Sequence, residues 1–288
     1  MKRILSVLLI TLLLTGCGGK SAAAPAPTER TPETTQEATQ PETVPTETQA
    51  PTEIVDAVTV PEEAVGIAES VITGNQKTVH VSTADEFLSA IGPDTEIIVD
   101  AQLIDFSTAA NYGSSGGDYY RWDDPFDGPE LIIQNVSNVT VRGGGEARTD
   151  QTLSCVPRYA DVLTFENCAN IYVTHITLGH TQEPGSCMGG VLHYVNSKDI
   201  LVEDCDLYGC GTLGVIGTNS RNMQVMSNYI HDCSVGGVEF SQCQDVRVDG
   251  NTFEKLGDEW GEAPIFRIYG GENITCNGED VIKKFGNG

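Results

Sequence analysis

Four short runs in the second half of the chain repeat one another: N170-I-Y-V173, D199-I-L-V202, N222-M-Q-V225 and D245-V-R-V248. Each opens on Asn or Asp and then alternates apolar, variable, apolar. The last three begin 23 residues apart. Three residues beyond each closing Val stand Ile176, Cys205, Asn228 and Asn251, and two further on stand Leu178, Leu207, Ile230 and Phe253. A period of two makes each run a strand with one buried side. A unit of twenty-odd residues cannot enclose a core by itself, so the units must stack into a β-solenoid of roughly seven coils. The class is all-β, and asparagines at equivalent positions are expected to form a ladder.

The coils do not begin until well into the chain. Lys2 and Arg3 precede an apolar run from Ile4 to Leu14, too short for a permanent span and placed as a secretory signal. L14-T15-G16-C17 follows and resembles the bacterial lipobox. That resemblance implies lipidation of Cys17, which becomes the mature N-terminus. Residues 1–17 are then signal peptide and lipobox, and acyl chains on Cys17 would hold the protein to the outer face of a bacterial membrane. Residues 18–69 are dominated by Thr, Pro, Glu, Gln and Ala with no aromatic residue, the composition of a disordered, semi-stiff stalk. Residues 70–288 form the folded domain.

That domain holds 31 Asp and Glu against 12 Lys and Arg, a formal charge of −19. Its field repels polyanions, and nucleic acid is excluded as a partner. At its front, T83-A-D-E86 has the spacing of a capping box before F87-L88 and I91, closed by Gly92-Pro93; a short N-terminal helix capping the first coil is expected. The runs I97-I-V99, Leu103 to Phe106 and L131 to V141 read as strands. V81-S-T-A-D-E-F-L-S-A-I91, L131-I-I-Q-N-V-S-N-V-T-V-R-G143 and the coils after them together resemble the pectate-lyase-like superfamily over residues 79–280. That resemblance implies a single-stranded right-handed parallel β-helix. It implies no one chemistry, since lyases, hydrolases, epimerases and non-catalytic proteins share the fold, and no catalytic family's signature is present.

Cysteines follow the repeat. Cys168 and Cys243 fall five before the coil Val, level with Ser197 and Ser220, and Cys210 and Cys233 fall eight after it. Small residues in inward columns read as core thiols, and no C-x-x-C spacing points to zinc.

The repeat also shows where the coils are interrupted. Val215 follows Val202, and Val238 follows Val225, by thirteen residues. Taking Val191 as the equivalent in the coil of Val173 gives eighteen, as does Phe266 after Val248, and Val162 follows Val141 by twenty-one. Three insertions, about 146–159, 180–188 and 257–263, are thus expected at one corner. Two short coils lie between the second and third, giving a trough roughly 14 Å wide.

Alternation assigns the lining. With Leu207 and Ile230 inward, Tyr208 and His231 point out, followed by Asp232, with His180 and Glu254 at the same level. The loops add Arg158, Tyr159, Glu183, Asp258, Glu259 and Trp260; packing its own loop is the alternative role for Trp260. His193 takes an inward position and reads as a core histidine. Aromatic rings, imidazoles, carboxylates and a guanidinium are the mixture of a carbohydrate cleft. If bonds are broken there, His231, Asp232, His180 and Tyr208 are the catalytic candidates, with Arg158, Tyr159, Glu183, Glu254 and Trp260 binding substrate. A uronate lyase would need a base such as His231 or Tyr208 and a neutralising group, Arg158 or Ca²⁺ on Asp232, Asp258 and Glu259; a hydrolase would use a carboxylate pair such as Glu183 and Asp232. No motif requires a cofactor, and Ca²⁺ on Asp258 and Glu259 is a metal candidate. The Y119 to D127 cluster, rich in aromatics and acids, offers Asp123, Asp124 and Asp127 as a second calcium set. The two readings are a surface protein that recognises or processes polysaccharide, and a non-catalytic adhesin or scaffold binding glycan or protein. The sequence leaves the oligomeric state open.

Overall fold

A computed structural model describes residues 76–181, 188–209, 212–258 and 261–285. Each coil runs through three straight segments. In the coil of Val173 these are Ala169–Thr174, Thr177–His180 and Leu192–Val195. The next coil repeats them as Lys198–Glu203, Asp206–Tyr208 and Leu213–Thr218. Equivalent segments pair in parallel, so the described domain is a three-sided parallel β-helix, right-handed as crossovers between parallel strands are. We call its sides the first, second and third faces, in the order the chain visits them.

Inward rows run the length of the solenoid. On the first face Val79, Ile97, Val141, Val173, Val202, Val225, Val248 and Cys276 are in register. The second face contributes Ile104, Leu153, Leu178, Leu207, Ile230 and Phe253. The third contributes Ile133, Phe165, Tyr194, Gly217, Phe240 and Ile268, with the Phe165 and Tyr194 rings stacked 5.3 Å apart. Burying such rows is the main stabilising term, about 1.5–3 kcal/mol per large apolar side chain.

The Asn or Asp that opens each repeat is a backbone requirement. Asn170, Asp199, Asn222 and Asp245 all have φ between 51° and 57°, a left-handed conformation that Asn and Asp tolerate better than other non-glycine residues. Their side chains also connect coils, as where Asn222 donates to Asp199 at 2.8 Å. Corners are tied by polar ladders. Ser197 and Ser220 hydroxyls accept from the backbone N–H of Cys168 and Ser197, each at 3.0 Å. At the next corner Asn228 accepts from Cys205 N–H at 2.9 Å and its amide donates to Asn251 at 2.9 Å. Among the thiols, Cys168, Cys205, Cys233 and Cys243 are buried; Cys187 and Cys210 lie outside the described residues.

The N-terminal cap has the expected box. Thr83 accepts from Glu86 N–H at 3.2 Å, Glu86 accepts from Ser82 N–H at 2.7 Å, and the helix Ala84–Ala90 lays Phe87 against Phe106 over the first coil. In the aromatic segment after Tyr119, Tyr120–Asp123 pairs antiparallel with Glu130–Gln134.

Two expectations fail on register. Val215 pairs with Leu192, not with Val191. That one-residue slip turns every side chain of the strand over, and His193 lies on the outer side. The stretch 146–159 is not one insertion either, because Thr152–Cys155 within it is itself a second-face strand. A corner segment precedes it and another, 156–162, follows it.

Candidate functional site

The outer side of the second face carries the expected ring array. Tyr208, His231 and Glu254 lie in adjacent strands at one level. The Tyr208 ring lies over Gly179, where an added Cβ would stand 2.5 Å from it, so glycine there makes room for the ring. His231 stacks between Tyr229, 4.2 Å away, and Tyr208, 5.9 Å away. Both its ring nitrogens are engaged: Nδ1 with Asp232 at 2.6 Å and Nε2 with Asp206 at 2.9 Å. Burial works against the imidazolium, but these two carboxylates outweigh it and hold the His231 pKa above its ordinary value. Lys255 approaches Asp232 at 3.8 Å, and the Tyr229 hydroxyl donates to Glu254. Asp206 and Tyr229 were not anticipated, although two residues' spacing from Tyr208 and His231 is the signal that puts them on the same side.

This geometry changes the chemical roles. An imidazolium donating from both nitrogens is a cation held in place, not a base. Tyr208 is no better as one, since burial and then Asp206 push its phenol up. His180 does not line the face at all. Its strand runs one residue further than expected and pairs with Cys155, so alternation turns the imidazole inward, where it is 1% exposed. Burial pushes its pKa down, and Nε2 sits 2.9 Å from the Ala160 carbonyl.

The loop residues divide. Arg158 and Tyr159 lie at the corner between the second and third faces, where both backbone N–H groups donate to Asp127, at 2.8 and 3.1 Å. Asp127 thus fastens a turn. The Tyr159 ring packs against exposed Phe126, tilted by 49° with centroids 4.8 Å apart. Asp258 sits in a short hairpin of Gly257–Asp258 with Gly261–Glu262, while Glu183, Glu259 and Trp260 lie outside the described residues. Among the described residues no three His, Cys, Asp or Glu side chains are grouped to hold a metal ion.

Outside the expected set, the third face holds a second cluster. Its members are Glu130, Asp161, Thr164, His193 and Thr218. Asp161 accepts from Gly190 N–H at 2.5 Å and meets His193 Nδ1 at 2.8 Å. Glu130 accepts from the Thr164 hydroxyl at 2.8 Å and from Asp161 N–H at 3.1 Å. The same hydroxyl is 3.4 Å from Asp161 Oδ2, and His193 Nε2 is 3.1 Å from the Thr218 hydroxyl. Burial, followed by repulsion from Asp161, pushes Glu130 up to about 7. Asp161 is itself buried, yet its bond to His193 holds it below the usual carboxylate range. Burial opposes the charged form of His193, but Asp161 and then Glu130 and Glu239 raise its pKa overall.

The coils, their parallel register and their corners agree with a family model for the right handed beta helix region, which matches residues 131–284. The chain belongs to that family. A second model, the prokaryotic membrane lipoprotein lipid attachment site, matches residues 1–17, so this β-helix protein is a membrane-anchored lipoprotein with Cys17 at the attachment site. Among solved structures it is similar to a mutant of the Bacillus subtilis pectate lyase, with 12% identity over 73% of this chain and 84% of that one, at a TM-score of 0.32. No curated protein matches.

Proposed function

We propose that this lipoprotein presents its β-helix outside the cytoplasm and that the domain recognises or processes glycan. The observation that carries the reading is the second-face array. Tyr229, His231 and Tyr208 offer stacked rings to the apolar faces of sugars, and Asp206, Asp232 and Glu254 offer acceptors to their hydroxyls. The site is an open face. Two depressions, of about 390 and about 240 Å³, lie elsewhere, beside Lys77 and Asp85 and beside Asn222 and Arg247. An extended chain lying across strands suits such a surface better than an enclosed small molecule.

A non-catalytic adhesin is the second reading, favoured by the clamping of His231 between two carboxylates. Both readings are tested with the Cys17→Ser protein, which lacks the lipid acceptor. It would be applied to a glycan array and to a polysaccharide panel, with and without Ca²⁺, following reducing ends and the ultraviolet absorbance of unsaturated products. Binding lost in Tyr208→Ala supports the second face as the glycan surface. Binding without product favours the adhesin. No binding to any glycan refutes the carbohydrate reading.

A further inference from the structure

The third-face cluster is a group of titratable side chains that the second-face reading leaves unused. Its parts are held differently. Both carboxylate oxygens of Asp161 are occupied, one by Gly190 N–H and one by His193, so Asp161 orients the imidazole. Glu130 and Asp161 meet at the single hydroxyl of Thr164. His193 keeps 23% of its side chain exposed and turns Nε2 toward Thr218. The cluster stands beside the corner where segments 156–162 and 188–191 leave and rejoin the coils.

We propose that Glu130 and His193 are a general base and a general acid that hydrolyse a glycosidic bond in an uncharged glycan, an inference that rests on the glycan reading above. The bond-making step is balanced by two proton transfers. As a water oxygen bonds to the anomeric carbon, its proton passes to Glu130. The bond from that carbon to the bridging oxygen breaks with its electron pair on the oxygen, which takes the proton from His193 Nε2. Exchange with solvent then returns one proton to His193 and removes one from Glu130. Electrostatics suit these roles. Two buried neighbouring carboxyls cannot both ionise cheaply, which makes ionised Glu130 a strong base near neutral pH. Asp161, Glu130 and Glu239 all face His193 and favour its protonated form, with Arg267 behind Glu239 at 3.0 Å.

The preference for uncharged substrate follows from the cations. The domain is acidic, and the guanidinium groups on this face's strands are bonded to carboxylates, Arg121 to Glu166 at 2.6 Å and Arg267 to Glu239 at 3.0 Å. Neither is available to neutralise a uronate without breaking an ion pair.

The test uses the full lipoprotein in detergent, with glucan, xylan and mannan as probes, and reads binding and reducing-end release separately. Release is expected from at least one probe, with an acidic limb in its pH profile near 7 set by Glu130. Glu130→Gln and His193→Gln should each lower release about 100-fold or more while binding holds, and Glu130→Gln should abolish the acidic limb. Binding without release from any probe overturns the inference and leaves the glycan reading standing. Release that survives in Glu130→Gln with its pH profile unchanged also overturns it. Absence of both binding and release takes down the glycan reading and this inference together.

Discussion

Glu130→Gln should make the folded domain more stable at pH 8 than the wild type, although it removes a buried charge partner from an ion network. The wild-type carboxyl rises from an ordinary 4.5 to about 7 on folding. A carboxyl whose folded pKa is raised stabilises the fold in its protonated form. That contribution is complete below about pH 4.5, fades as pH rises, and is gone above about 7. At 1.36 kcal/mol per unit the span is about 3 kcal/mol. Glutamine reproduces the protonated shape. Its carbonyl can accept from Asp161 N–H and its amide can donate to the Thr164 hydroxyl, preserving both contacts. His193 and Asp161 titrate in both proteins, so to first order they cancel in the comparison. Urea unfolding at pH 4.5 and pH 8 is the assay. The variant's advantage should grow by about 3 kcal/mol between the two, or about 1 M in midpoint for a domain of this size. Parallel stability curves for the two proteins would show that Glu130 folds with an ordinary pKa. They would remove the electrostatic argument for the third-face pair.

Three further outcomes test the other parts. Asn228→Leu leaves Cys205 N–H and the Val202 carbonyl without their buried partner, a cost of about 2–4 kcal/mol, and thermal melting should fall by about 4–12 °C. Gly179→Ala forces the Tyr208 ring aside; a loss of about 1–3 kcal/mol by urea unfolding is expected, with weaker glycan binding. His231→Gln should destabilise more at pH 6 than at pH 9. The raised imidazole contributes fully below about 6.5 and loses its effect as pH passes its folded value. Partial exposure limits that difference to about 1 kcal/mol, read by urea midpoints at both pH values.

Much of the architecture was legible because the solenoid writes its geometry into the chain repeatedly. The 23-residue spacing, the inward Val row, the Asn228 to Asn251 ladder and the capping box at Thr83 are local rules applied coil after coil. Even the recurring Asn and Asp, first noticed as markers, mark where the backbone turns left-handed. What could not be read was the register after a corner of variable length. G190-V191 and G214-V215 look alike, but the chain aligns Leu192 with Val215. The slip sent His193 inward on paper, and with it went any reason to connect the imidazole to Asp161. His180 failed for a related reason: one extra paired residue decides whether a side chain faces solvent or core.

The same accounting explains why two clusters stand on two faces. Each face lends one outward residue per coil at a given level, so functional groups accumulate across coils rather than along the chain. Tyr208 and His231 are 23 residues apart, and Asp161 and His193 are 32. Yet each pair meets, by stacking in the first case and by an ion pair in the second. The second face supplies rings, an imidazolium with no free nitrogen, and acceptors. These groups can hold a sugar, but none of them is poised to exchange a proton. The third face supplies a carboxyl raised to about 7 and an oriented imidazole, which can. If glycan binds and is cleaved, Tyr208→Ala should therefore weaken binding and leave turnover of bound substrate intact, while Glu130→Gln should do the reverse. A variant on either face that moved both quantities together would mean that the two clusters form one site reaching around the corner.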